Sequence, residues 1–211
     1  MESRQHLGAG PDHWDAVHRK RDPDQLTWFQ PMPRLSLGRI ERSGVEPFQR
    51  IVDIGGGSSL LCDALIERGY RDVTVVDISG AALTHVEARL QGARECVTLI
   101  EGDVGTYRGD RRFDLWHDRA VFHFLTEDDE RDRYMRTMES NLAEQGHVVM
   151  ATFGLQGPYM CSGLPVRRYG PESLAAALGG RFHPVTFEEE LHATPAGGTQ
   201  HFLYGLFRRV D

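Results

Sequence analysis

Arg50 to Leu61 reads R-I-V-D-I-G-G-G-S-S-L-L: a short apolar run closing on a carboxylate, three consecutive glycines, then two serines that open an amphipathic stretch. That order predicts strand, tight turn and helix. Glycines adopt positive φ and carry no Cβ, so a ligand can lie on the backbone, and the next helix offers unpaired N–H groups. Charge narrows the ligand. A dinucleotide would put a pyrophosphate on this turn, beside a third glycine that packs helix on strand. Here Leu60 stands where that glycine belongs, and Asp53 lies two residues before Gly55. A carboxylate repels a pyrophosphate and attracts an ammonium group. The expected ligand is therefore a nucleoside that carries positive charge and no phosphate.

The whole chain is consistent with a single globular domain. At 211 residues, 40% hydrophobic and 26% charged, it is long enough to bury a core without staples. A net charge of −7 argues against nucleic acid or an anionic membrane as the main partner, since phosphate neutralisation needs clustered Lys and Arg. Cys62, Cys96 and Cys161 are scattered and lack metal-ligand spacing, which suits a reducing interior. No metal ligand set is legible. The N-terminus lacks a signal-peptide core and no apolar run reaches membrane-spanning length, so the expected location is cytoplasmic.

Outward from the turn, Leu60 to Arg68 keeps helical spacing and Gly69 ends it. Val73–Asp77 is a second buried strand ending in an acid 24 residues after Asp53, the offset at which a carboxylate meets ribose hydroxyls. Ser79 then caps a helix from Gly80 to about Leu90. Val97–Glu101 and Phe113–Asp118 are the third and fourth strands, and His147–Phe153 is the fifth. Parallel strands carry ligands at their C-terminal ends, which puts His117, Asp118 and Arg119 at the mouth of the crevice. Val121–Leu125 reads as core wall, with His123 the best titratable candidate near the mouth. Glu127–Asp132 reads as a solvated helix face, continued by Tyr134, Met138 and Leu142 and closed by Gly146.

With these strands in place, Asp53-Ile54-Gly55-Gly56-Gly57-Ser58 resembles the first motif of the class I S-adenosylmethionine-dependent methyltransferases, and Asp77-Ile78-Ser79 resembles their second. The resemblance implies an α/β fold: a doubly wound, mostly parallel seven-stranded sheet with a terminal antiparallel strand. It implies S-adenosylmethionine as cofactor, with Gly55, Gly56 and Gly57 against its methionine and sugar and Asp53 near its amino end. Asp77, Ile78 and Ser79 would meet the ribose. Asp103 would take the adenine amine, with Val104 packed on the ring. Asp118 is assigned both to the cofactor and, with His123, to catalysis.

The flanks carry the acceptor side. Residues 1–12 read as a mobile leader, and 1–46 together as a cap segment ahead of a domain over 47–211. Trp14 and Trp28 are expected to fold over the site, Trp28 against the cofactor and Trp14 against the acceptor. The W…W-F pattern resembles the small methyltransferase-like group, of the methyltransferase domain 25/12 type, that includes protein-lysine methyltransferases. Leu35, Leu37 and Ile40 suggest a helix running to Glu46-Pro47. Residues 154–170 have no clear period and read as an acceptor-binding lid, where Tyr159, Arg168 and Tyr169 join Arg119 as substrate contacts. Cys161 has no base or metal partner that would make it a nucleophile. A helix to Leu178 and two closing strands, Phe182–Leu191 and Thr199–Phe207, complete the chain.

The expected reaction is in-line transfer of a methyl group to a small molecule by a monomer or homodimer. A protein acceptor is the second reading, weakened because Asp118-Arg119-Ala120-Val121 stands where the lysine-modifying group tends to show D-K-G-T. A non-catalytic binding module or an NAD-dependent oxidoreductase is the third.

Overall fold

The computed structural model describes residues 7–90 and 92–210. The sheet is built around β1 (Arg50–Ile54), whose Ile51 and Val52 are fully buried. Such a strand, apolar on both faces, belongs in the middle of a parallel sheet. β1 pairs in parallel with β2 (Asp72–Asp77) on one side and with β4 (Phe113–Arg119) on the other. β3 (Val97–Glu101) extends the β2 edge, and β5 (Leu142–Phe153) extends the β4 edge. Two further strands, β6 (Met160–Cys161) and β7 (Leu164–Pro165), form a small hairpin apart from the sheet. β8 (Phe182–Ala193) and β9 (Thr199–Arg209) close it, β9 lying antiparallel to β5 and β8 antiparallel to β9. The order is β3-β2-β1-β4-β5-β9-β8, seven strands that are mostly parallel with an antiparallel end. Strand order reverses between β1 and β4, and a crevice opens there at the carboxyl ends of the strands.

Helices cover both faces. α2 (Arg34–Ser43), α3 (Leu61–Glu67) and α4 (Gly80–Arg89) bury Leu37, Ile40, Leu65 and Val86 against Ile51, Val73, Leu115 and Val149. On the other face α5 (Asp128–Asn141) and α6 (Pro171–Leu178) bury Tyr134, Met138 and Leu174 against Val52, Ile54, Trp116 and Val148. Each such side chain contributes roughly 1.5–3 kcal/mol by leaving water. α1 (Pro11–Lys20) stands apart from these layers and lies on α4. No described helix is long and apolar enough to cross a membrane.

Several boundaries differ from the sequence reading. α2 stops at Ser43 because Gly44 takes a left-handed conformation (φ 78°), before Pro47 can act. α5 ends at Asn141, and Leu142 already belongs to β5, so Gly146 lies inside a strand instead of closing a helix. The i, i+4 spacing of Leu142 coincides with its place at the start of a buried strand. The charged run after Glu127 is not wholly solvated: Glu127 and Glu130 form a capping box, and Arg131 is buried with its guanidinium donating to Leu125 O at 2.6 Å. Part of the expected mobile leader, residues 1–6, lies outside the described residues. Leu7 is buried, and helix begins at Pro11. The expected structureless lid contains the β6–β7 hairpin, turned by Ser162 (φ 50°) and Gly163 (φ 79°).

Candidate active site

Because β1 to β4 point the same way, their following loops line up along one edge of the sheet, in the order Asp103, Asp77, Gly55 and His117. A single cavity runs along this edge. At the β3 end it is lined by Asp103, Val104, Asp77, Ile78 and the glycine turn, and at the β9 end by Arg119, Phe153 and Phe202.

The glycine turn is shaped by what lies against it. Gly55 has φ 63°, and a Cβ there would sit 2.2 Å from Val121 Cγ2. A Cβ on Gly56 would sit 2.5 Å from Asp53 Oδ2, and one on Gly57 would sit 2.5 Å from Asp77 Oδ2. The absent side chains therefore make room for two carboxylates as well as for a ligand. Asp77 Oδ1 accepts from Ser79 N–H at 2.9 Å. Burial pushes the Asp77 carboxyl up to about 7, against the pull of the Ser79 and Gly57 N–H groups.

Asp103 Oδ1 accepts from Gly105 N–H at 2.7 Å, and Oδ2 accepts from Leu7 N–H at 2.8 Å. Leu7 and Ala9 line the cavity, so the N-terminal segment lies over this end. Three carboxylates thus face the cofactor half. Among the described lining residues the only Lys or Arg is Arg119, at the opposite end. This donor set suits an uncharged ribose and adenine joined to a cationic amino acid, and leaves a pyrophosphate without a counter-charge.

The other half is aromatic. Trp14 meets Trp28 edge to face at 6.3 Å and Phe124 at 5.0 Å, and all three line the cavity. The Arg119 guanidinium lies 4.3 Å above the Phe202 ring. Its Nε donates to the Tyr204 hydroxyl at 2.8 Å and its Nη1 to Trp28 O at 3.0 Å. Nη2 stands 3.7 Å from Glu190 Oε2, beyond hydrogen-bond reach, and neither atom has a hydrogen-bond partner among the described residues.

Several expected site residues lie elsewhere. Asp118 is fully buried on the opposite face of β4 from His117. Its carboxylate accepts from Val121 N–H at 2.9 Å and from the Tyr134 hydroxyl at 2.5 Å. Burial raises it to about 6. It braces the turn that carries Ala120 at φ 76° and does not line the cavity. His123 is also fully buried, among Phe124 and Phe153. Its Nδ1 accepts from Phe153 N–H at 3.2 Å, and burial depresses its pKa to about 3, so it is a neutral core residue.

Ser79 is consumed as the cap of α4, its Oγ accepting from Ala82 N–H at 3.1 Å and donating to Asp15 at 2.7 Å. Tyr159 is 69% exposed with the Arg168 guanidinium 3.5 Å above its ring, and Arg168 is spent on Leu155 O and Gly157 O. Tyr169 is buried beside Phe122. These three line a folded loop and not the cavity. Cys161 does line it, and burial pushes its thiol up to about 11, which keeps it an inert thiol.

Asp53 lines the cavity but is not free for an ammonium group. Its Oδ1 lies 2.7 Å from His117 Nδ1, and His117 Nε2 lies 2.9 Å from Ser36 Oγ. All three are nearly fully buried and line the cavity. The strand register places Asp53 beside His117 on the same face. Ser36, from the first turn of α2, was not a candidate, and only the alternation of Leu115, His117 and Arg119 along β4 hinted at this face.

Known proteins resemble this chain in sequence and in fold. The family described as "Methyltransferase domain" matches residues 51–146. An eEF1A lysine and N-terminal methyltransferase of Mus musculus is 24% identical over 154 residues, which is 72% of this chain and 21% of that protein. The Danio rerio protein of the same name is 30% identical over 81 residues, 38% of this chain and 11% of that protein. The chain thus spans about a fifth or less of the length of these curated relatives.

Among solved structures, a 1,6-didemethyltoxoflavin-N1-methyltransferase of Burkholderia thailandensis, with bound 1,6-didemethyltoxoflavin and S-adenosylhomocysteine, superposes with a TM-score of 0.73 at 21% identity, covering 100% of this chain and 98% of that one. The N-methyltransferase NodS of Bradyrhizobium japonicum WM9, in complex with S-adenosylhomocysteine, gives 0.70 at 15% identity, covering 94% and 99%. These two likenesses establish the fold.

Proposed function

We propose, from the premise that this chain is a class I S-adenosylmethionine-dependent methyltransferase, that it transfers a methyl group to a small molecule held in the aromatic half of the cavity. The observation that carries the reading is one continuous cavity with carboxylates and a glycine turn at one end and Trp14, Trp28, Phe124 and Phe202 at the other. S-adenosylmethionine supplies an activated methyl group. Gly55–Gly57, Asp77, Ile78, Asp103 and Val104 would hold it. The protein's own task is to orient the acceptor and exclude water, which an apolar chamber capped by two tryptophans does.

A protein acceptor is the second reading, favoured by the names of the sequence relatives. Against it stands Arg119, a guanidinium lining the chamber that a lysine ammonium would have to enter. Calorimetry with S-adenosylhomocysteine and with NAD tests the cofactor: binding of the first and not the second is expected, and the reverse outcome defeats the reading. Transfer of labelled methyl groups to cell extract, split into protein and small-molecule fractions, then separates the two acceptors. Label is expected in the small molecules.

A further inference from the structure

We propose that Ser36, His117 and Asp53 form a proton relay that serves the acceptor, and hence that the acceptor is a planar aromatic compound methylated at an O–H or a ring N–H. This rests on the reading of the cavity as a methyltransferase site and names the substrate class for it.

The relay is a buried chain of three side chains. Asp53 Oδ1 meets His117 Nδ1 at 2.7 Å, and His117 Nε2 meets Ser36 Oγ at 2.9 Å. Beyond it, Arg119 Nε donates to the Tyr204 hydroxyl at 2.8 Å. Chemistry sets the direction from the Asp53 end. With the Asp53 carboxylate as acceptor His117 donates from Nδ1, and in the neutral ring Nε2 is then the acceptor for the Ser36 hydroxyl. Both donors of the relay, the Ser36 hydroxyl and His117 Nδ1–H, then point toward Asp53. Ser36 Oγ has acceptor lone pairs besides the proton it donates, and Ser36 lines the cavity.

An acceptor X–H placed against Ser36 completes the step. The X–H proton passes to Ser36 Oγ while the serine's own proton moves to His117 Nε2. The imidazolium so formed lies against the Asp53 carboxylate. The electron pair left on X forms the bond to the methyl carbon as that carbon's bond to the donor sulfur breaks, with its electron pair going to sulfur. The other charges near the relay are Arg119 and Glu190 at its outer end, and Asp77 and Asp118 flanking Asp53 and His117. An acceptor that already offers a lone pair needs no such relay. The rings of Trp14, Trp28, Phe124 and Phe202 around the chamber suit a flat aromatic acceptor.

The full chain saturated with S-adenosylhomocysteine supplies the test. Long-range proton–nitrogen NMR spectra of the parent protein are expected to show His117 as the Nδ1–H tautomer. 4-Nitrophenol, whose phenolate absorbs visible light, serves as the aromatic O–H probe. Its apparent ionisation in the saturated protein is expected to shift downward by about one pH unit. In Ser36→Ala and His117→Gln it should return to the value in buffer while S-adenosylhomocysteine affinity is retained. The relay is overturned by an Nε2–H tautomer, by a phenol titration that the parent leaves unmoved or the variants leave shifted, or by loss of cofactor-product affinity in Ser36→Ala. Covalent labelling of Ser36 by a fluorophosphonate would overturn it too, by making the serine a nucleophile. Failure of the parent itself to bind S-adenosylhomocysteine strikes the functional reading instead.

Discussion

Gly56 has no positive φ to explain it, and its lack of a side chain answers to Asp53 Oδ2 and Val75 Cγ1, which stand 2.5 and 2.8 Å from where a Cβ would lie. Gly56→Ala is therefore expected to push Asp53 off His117 and to destabilise the fold by roughly 1–3 kcal/mol through overpacking. Urea denaturation should register the loss, and calorimetry should find weaker binding of S-adenosylhomocysteine. At this scale the glycine turn, Asp77 and Asp103 were legible in the sequence because each follows its own strand at once. The partners of His117 were not. They depend on β1 and β4 being neighbours and on a serine 81 residues away, which no local pattern encodes. Asp118 and His123 were misplaced for a related reason. Side chains alternate across a strand, so Asp118 faces the core opposite His117, and His123 follows into that core.

Helix α1 is anchored to the sheet through α4. Asp15 Oδ1 accepts from the Ser79 hydroxyl at 2.7 Å and from Ala81 N–H at 3.2 Å, so a side chain of one helix caps the N-terminus of another. These bonds, that from Ser79 first, hold the Asp15 carboxyl below its usual range. Asp15→Ala should loosen the segment that carries Trp14 and cost about 1 kcal/mol. Faster amide hydrogen exchange over residues 11–20, with the core helices unchanged, is the expected signature. The sequence pointed to Ser79 as a cap and to Trp14 as part of a covering segment. It did not reveal that one acid joins them, because an Asp in a polar stretch carries no mark of its distant partner. Helix ends were blurred wherever apolar spacing ran on into a strand, as at Leu142.

Four buried groups contribute strongly to the acid behaviour of the molecule. Burial depresses His18 to about 4 and His123 to about 3, and raises Asp77 to about 7 and Asp118 to about 6. The histidines contribute stability that is present above their unfolded value near 6.5 and is lost as pH falls. The carboxyls contribute stability that is present below 3.8 and is lost as pH rises through about 6 and 7. Between about pH 4 and 6 the unfolded chain holds two protons on these histidines and the folded chain two on these carboxyls, so the four offset one another, while His147 and His192, which burial also lowers, add to the uptake of the unfolded chain. His123→Phe removes one side of that balance. Across this window the slope of its unfolding free energy against pH should lie below that of the parent by about 1.4 kcal/mol per unit. Urea unfolding at a series of pH values measures both slopes.

The order of strands also divides the labour of the chain. The loops after β1, β2 and β3 face one half of the cavity, while β4, β5, β9 and the N-terminal helices wall the other. A lineage built on this plan can trade one nucleophile for another by rewriting its outer strands and leader, while the donor pocket stands still.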